Sequence, residues 1–156
     1  MAQTIILAGS VETPIVSSPV LQTQSGSFIT LPTASIPNPF DPFVELPYEA
    51  LLFEFDTTKY FGVIADVYVK NNSSEVFSIL TSYVVGYYDG SSVQTTFTLT
   101  DNVVYPDGNT EIRDNVVIGP AEFTIDPESL IIKVVARNTS TVDSYTIDTI
   151  IRGFTK

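Results

Sequence analysis

The sequence predicts an all-β protein, an antiparallel β-sandwich of jelly-roll type preceded by an extended Pro-rich N-terminal arm. Three observations predict it. Residues 59–99 hold three consecutive runs rich in Val, Ile, Thr, Tyr and Phe, the first and third of them alternating with a period of two. From residue 50 onward, turn signals recur about every 8 to 14 residues, the spacing of a sandwich or barrel. No window combines a helical period with caps, so no helix beyond a turn is expected.

Taken in order, residues 1–49 differ in kind from the rest. They hold seven of the ten prolines, four acidic residues and neither Lys nor Arg. Proline removes a ladder donor and pushes its predecessor into extended conformations, so residues 37–47 are neither helix nor central strand. Two apolar pieces, residues 4–8 and 27–31, are each long enough for one edge strand. Ordering the arm costs roughly 1 kcal/mol per residue, which at ~25 cal/mol per Å² calls for burial on the order of 2000 Å² of apolar surface. The arm therefore lies along its own domain, along a neighbouring subunit or along a larger surface. Phe28, Ile29, Phe40, Phe43 and Val44 are its candidate partner-binding residues.

Residues 50–156 form the expected sandwich domain. After the apolar run 51–55, Asp56-Thr57-Thr58 turns into the first long strand. There Phe61, Val63, Ala65, Val67 and Val69 make the buried face, with Tyr60, Asp66, Tyr68 and Lys70 on the wet one. Residues 71–74 turn the chain, 76–88 form a second strand, and Asp89-Gly90 supplies the positive φ of a tight hairpin into a third strand over 93–99. Beyond a turn at 106–109 come strands at 116–118 and 121–125, broken at Gly119-Pro120. A turn at 126–129 precedes a strand over 130–136, in which Leu130, Ile132, Val134 and Ala136 alternate with Ile131, Lys133, Val135 and Arg137. Residues 138–143 turn into the last strand, 144–154.

Composition narrows the chemistry. The 156 residues contain no cysteine and no histidine, which removes disulfides, thiolate metal sites, and Ser-His-Asp or Cys-His hydrolysis. The formal charge of −11 repels phosphate backbones and anionic lipid, so neither nucleic acid nor membrane is expected as a partner. The first ten residues carry too short an apolar run, and no preceding Lys or Arg, for a signal peptide or a span.

Two acidic groups remain. Glu54 and Asp56 share one strand face, as a glycosidase pair would, but two acids closing an exposed strand edge serve solubility more simply. Asp107, Asn109 and Glu111, with Asp101 and Asp114 nearby, alternate oxygen ligands as a calcium loop does; the spacing departs from an EF-hand, whose Gly is sixth and bidentate Glu twelfth. No catalytic, cofactor or metal residue is assigned, and the chain is read as a non-enzyme. Tyr60, Asp66, Tyr68 and Tyr88 form a possible ligand face, able to stack on sugars as well as to pack against protein.

Residues 115–156 end in a strand, a polar Asn-Thr-Ser-Thr turn and a final strand, LIIKVVARNTSTVDSYTIDTIIRGFTK. In style this segment, with the acidic Ser/Thr/Val-rich composition of the whole, resembles terminal β-domains of phage virion proteins such as head decoration (cement) proteins and fibre heads. The resemblance implies a jelly-roll or sandwich subunit, often trimeric, held to a major capsid or other virion protein by an extended terminal arm. On that basis the expected role is a decoration protein on the capsid surface. A carbohydrate- or receptor-binding domain of a tail fibre or adhesin is the alternative.

Overall fold

Period-two burial along the strands builds two antiparallel sheets around one core. The architecture is that of a computed structural model, which describes residues 26–38, 49–88, 90–91, 93–121 and 130–156. In chain order its elements are β1 (Phe28–Thr30), β2 (Ala34–Ile36), β3 (Glu49–Asp56), β4 (Tyr60–Asn71), β5 (Phe77–Tyr88), β6 (Val93–Tyr105), α1 (Glu111–Asn115), β7 (Val116–Pro120), β8 (Ile131–Asn138) and β9 (Tyr145–Thr155). The larger sheet runs β1-β9-β4-β5-β6, with β2 also on β9, and the smaller runs β3-β8-β7. Within the larger sheet, β9 returns beside the β4-β5-β6 meander, which is the spatial order of a Greek key. A jelly roll is built from two such keys, and one is present among the described strands.

Both sheets feed the core. Phe53, Phe55, Ile118, Ile132 and Val134 from the smaller sheet meet Val63, Val67, Leu80, Val84, Ile147 and Ile151 from the larger. Gly86 marks the closest approach, since a Cβ there would overlap Ile132 Cδ1 and stand 3.3 Å from Phe55 Cε2. The alternation expected in β8 holds in part: Ile132, Val134 and Ala136 are buried and Lys133 is exposed, but Val135, expected with Lys133, is buried as well.

Two expectations are corrected. The sequence puts Phe61 in the core and Tyr60 in water, but Tyr60 is 4% exposed and Phe61 59%. The register of β4 against β9 shifts between Tyr60 and Gly62, and this bulge flips the faces at the start of the strand. The expected break at Gly119-Pro120 lies inside β7, where Pro120 pairs with Val134. β7 is an edge strand, and an edge tolerates a proline because one side of it needs no ladder donor. The edge strand expected over residues 27–31 is β1, and β2 joins the same sheet, so this part of the segment lies along its own domain. β1 pairs with residues 150–152 and β2 with residues 145–147, end to end along β9, and Ile36 is fully buried.

Polar side chains fix the turns. Asn71 Oδ1 accepts from Ser73 N at 2.7 Å, and Asn138 Oδ1 from Ser140 N at 2.8 Å. Asn138 Nδ2 also donates to the Pro37 and Asp143 carbonyls, tying the segment after β2 to the turn before β9. Gly90, at φ 101, makes the hairpin between β5 and β6. Residue 89 and residues 122–129, where sequence places a turn residue, part of a strand and another turn, lie outside the described residues. No described helix is long and apolar enough to cross a membrane.

Candidate functional site

The face of the larger sheet turned away from the core carries side chains in cross-strand rows. Antiparallel register sets Phe28, Arg152, Ile64, Tyr83 and Thr98 side by side. The next row is Thr30, Ile150, Asp66, Thr81 and Thr100. A third holds Asp148, Tyr68, Ile79 and Val103, and a fourth Thr146, Lys70, Phe77 and Tyr105. Most two-layer antiparallel sheets set polar residues here. Instead Phe28 stays 66% exposed, and Tyr83, Val103, Tyr105 and Ile150 are exposed with it.

Specific contacts order this face. Tyr68 and Phe77 pack with ring centroids 5.4 Å apart, and Phe77 stacks on Tyr105 at the same distance. At the opposite end, the Arg152 guanidinium lies 5.0 Å from the Phe28 ring centre and 5.5 Å from that of Phe154. Nearby, Lys156 Nζ is 5.7 Å from the Phe61 ring. Between the aromatic ends, Asp66 Oδ1 accepts from Thr81 Oγ1 at 2.9 Å, and Asn102 donates to that same Thr81 oxygen. Asp148 Oδ1 accepts from Thr33 Oγ1 at 2.6 Å.

Charge is unevenly satisfied. Lys59 pairs with Asp56, Arg113 with Asp101, and Arg137 with Glu49. Arg152 has no ion pair among the described residues, and its Nε is buried without a hydrogen-bond partner. A guanidinium nitrogen withdrawn from water and left unbonded is costly.

The site residues expected from sequence divide accordingly. Asp66 and Tyr68 occupy the outer face as expected. Tyr60 does not, because the bulge turns it into the core. Tyr88 ends β5 opposite Val93, and its side chain lies outside what the structure describes. Phe28 is exposed on the outer face, whereas Ile29 packs against the core. Phe40, Phe43 and Val44 lie outside the described residues. The contribution of Arg152, Phe154 and Ile150 was not anticipated; the period-two set Asp148, Ile150, Arg152, Phe154 in the last strand was its signal.

The two acidic groups are engaged locally. Asp56 Oδ1 accepts from Thr58 N and Oγ1, capping the turn into β4, and Glu54 stands opposite Lys133. Of the calcium-loop candidates, Asp101 faces Arg113, Asp114 Oδ2 accepts from Thr110 Oγ1, and Asn109 Oδ1 accepts from Glu111 N. Glu111 Oε1 turns inward to accept from Asn71 Nδ2 at 2.6 Å and Tyr145 OH at 3.1 Å. Among the described residues no group of three or more carboxylates converges on a cation position. Burial pushes the Tyr145 phenol up to about 12, with the neighbouring Glu111 charge adding to the rise against the lowering effect of the bond from Asn115.

Comparison with known proteins adds no relative: no family model, no curated protein and no solved structure matches the chain.

Proposed function

We propose that this chain is a non-enzymatic structural protein of a virus particle, a capsid decoration or cement protein acting through its Pro-rich segment and subunit contacts. The observation that carries the reading is the exposed apolar outer face of the larger sheet. A sheet face that keeps Phe28, Tyr83, Val103, Tyr105 and Ile150 in water is suited to covering by protein. In this reading Phe40, Phe43 and Val44 meet a major capsid or other virion protein, and the outer face, Phe28 included, meets further copies. Repetition across a lattice makes each contact effectively intramolecular, so weak single contacts suffice. The acidic balance keeps the remaining surface hydrated and soluble.

The test is to purify virus particles from the source of the sequence and label them with an antibody to the chain. Regular label on the outer surface, at a fixed copy ratio to the major capsid protein, is expected. Particles free of the chain overturn the reading.

One observation favours a carbohydrate-binding second reading. The hydrogen-bonded Asp66, Thr81 and Asn102 form a polar island between Tyr68 and Tyr83, an arrangement that can hold a sugar hydroxyl between stacking rings. Binding on a glycan array that is lost in Asp66→Ala supports it, and a blank array removes it.

A further inference from the structure

The outer face is self-complementary. Asp148 and Arg152 stand on the same side of β9, two residues before and two residues after Ile150. A two-fold axis lying between two copies, across the strands at the Ile150 row, reverses strand direction. It carries Arg152 of one copy onto Asp148 of the other. It also sets Ile64 and Tyr83 over Tyr68 and Ile79 of the second copy, and Ile150 over itself. We infer that a second copy of this chain docks on this face as an isologous pair.

Charge and area support that occupant. Copies with a formal charge of −11 repel one another unless an interface gathers cations against acids. Arg152 and Lys70 are the cations of this face without an ion pair among the described residues, and the two-fold brings Arg152, through its terminal nitrogens, onto a carboxylate. Thr33 holds Asp148 through Oδ1, which leaves Oδ2 for the incoming guanidinium. Phe28 and Phe154 flank that guanidinium and restrict where it can point. Five strand positions about 4.8 Å apart, each about nine residues long at ~3.3 Å, offer roughly 700 Å² per copy. That reaches the roughly 1,200–2,000 Å² total of stable protein pairs. Asp66 is the charge brought toward its own counterpart near the axis, which sets a limit on affinity.

The inference deepens the reading of the outer face as a subunit contact. It does not require a particle: particles lacking the chain sink the particle role and leave the pairing intact.

Sedimentation velocity of the full chain over a concentration series tests it. A reversible monomer–dimer equilibrium is expected. Arg152→Asp and Asp148→Arg each weaken it about tenfold or more, as expected for loss of a charge-assisted pair. The double exchange restores it, and Asp66→Asn tightens it. A wild-type chain that stays monomeric at every concentration overturns the inference. So does a trimer, or a double exchange that fails to rescue while circular dichroism shows each variant folded.

Discussion

The Arg152 guanidinium lies 5.0 Å from the centre of the Phe28 ring, joining the last strand to the first. That contact places a cation with no carboxylate partner among the described residues on an exposed aromatic surface. Residues 28–30 and 34–36 pair with that same last strand. A cation over a ring at an exposed site contributes about 0.5–1 kcal/mol. Phe28→Ala is therefore expected to lower stability by no more than about 1 kcal/mol in urea unfolding, while weakening self-association. A loss several times larger would place Phe28 in the core rather than on the contact face.

Ile36 tests the same segment from the inside. It is fully buried between the two sheets, so Ile36→Ala is expected to cost about 2–4 kcal/mol through lost burial and the cavity left behind. Urea unfolding of the full chain reads this directly. An unchanged midpoint would mean that β2 does not contribute to the core.

Gly86 reports on the packing of one sheet on the other. A side chain there must displace Ile132 and crowd Phe55 and Thr57, and overpacking of this kind costs about 1–3 kcal/mol. Gly86→Val should lower the melting temperature, and Ile132→Ala in the same chain should recover part of the loss. Full additivity of the two losses would contradict the contact.

Tyr145 gives the fold an alkaline limit. Its phenol is raised from the usual value of 10.0 to about 12 by burial, with the Glu111 charge adding to it. Between those two values the unfolded chain releases the proton that the folded chain keeps. The stabilisation is thus complete below pH 10 and is lost as pH rises toward 12. With partial screening by solvent the loss is about 1–2 kcal/mol. Tyr145→Phe should flatten this step in pH-dependent urea unfolding. It should also cost about 1–2 kcal/mol at neutral pH, because the bonds with Glu111 and Asn115 disappear. A step that persists in the variant would assign it to another group.

Much of the fold was legible in the residues. Alternation marked β8 and most of β4, Asp89-Gly90 and Asn138 marked turns, and the absence of capped helical periods left only the five-residue α1. What was not legible depended on partners distant in sequence. The bulge that exchanges Tyr60 and Phe61 is set by the register of β4 against β9, which local alternation does not encode. β1 was legible as an edge strand over 27–31, but its partner and the strand β2 were not, because both pair with the final strand. The outer face was half visible: Asp66 and Tyr68 lie within one strand, but the meeting of Phe28 with Arg152 required the sheet order.

On the function proposed here, this protein makes its contacts through the outer face of the larger sheet. Hydroxyl-radical footprinting of the concentrated, associated chain against the dilute chain reads those contacts residue by residue. Protection should fall on Phe28, Tyr83, Val103, Tyr105 and Ile150, leaving the exposed Val117 and Val142 unchanged. Protection of Val117 and Val142 with the five outer-face residues still reactive would contradict it.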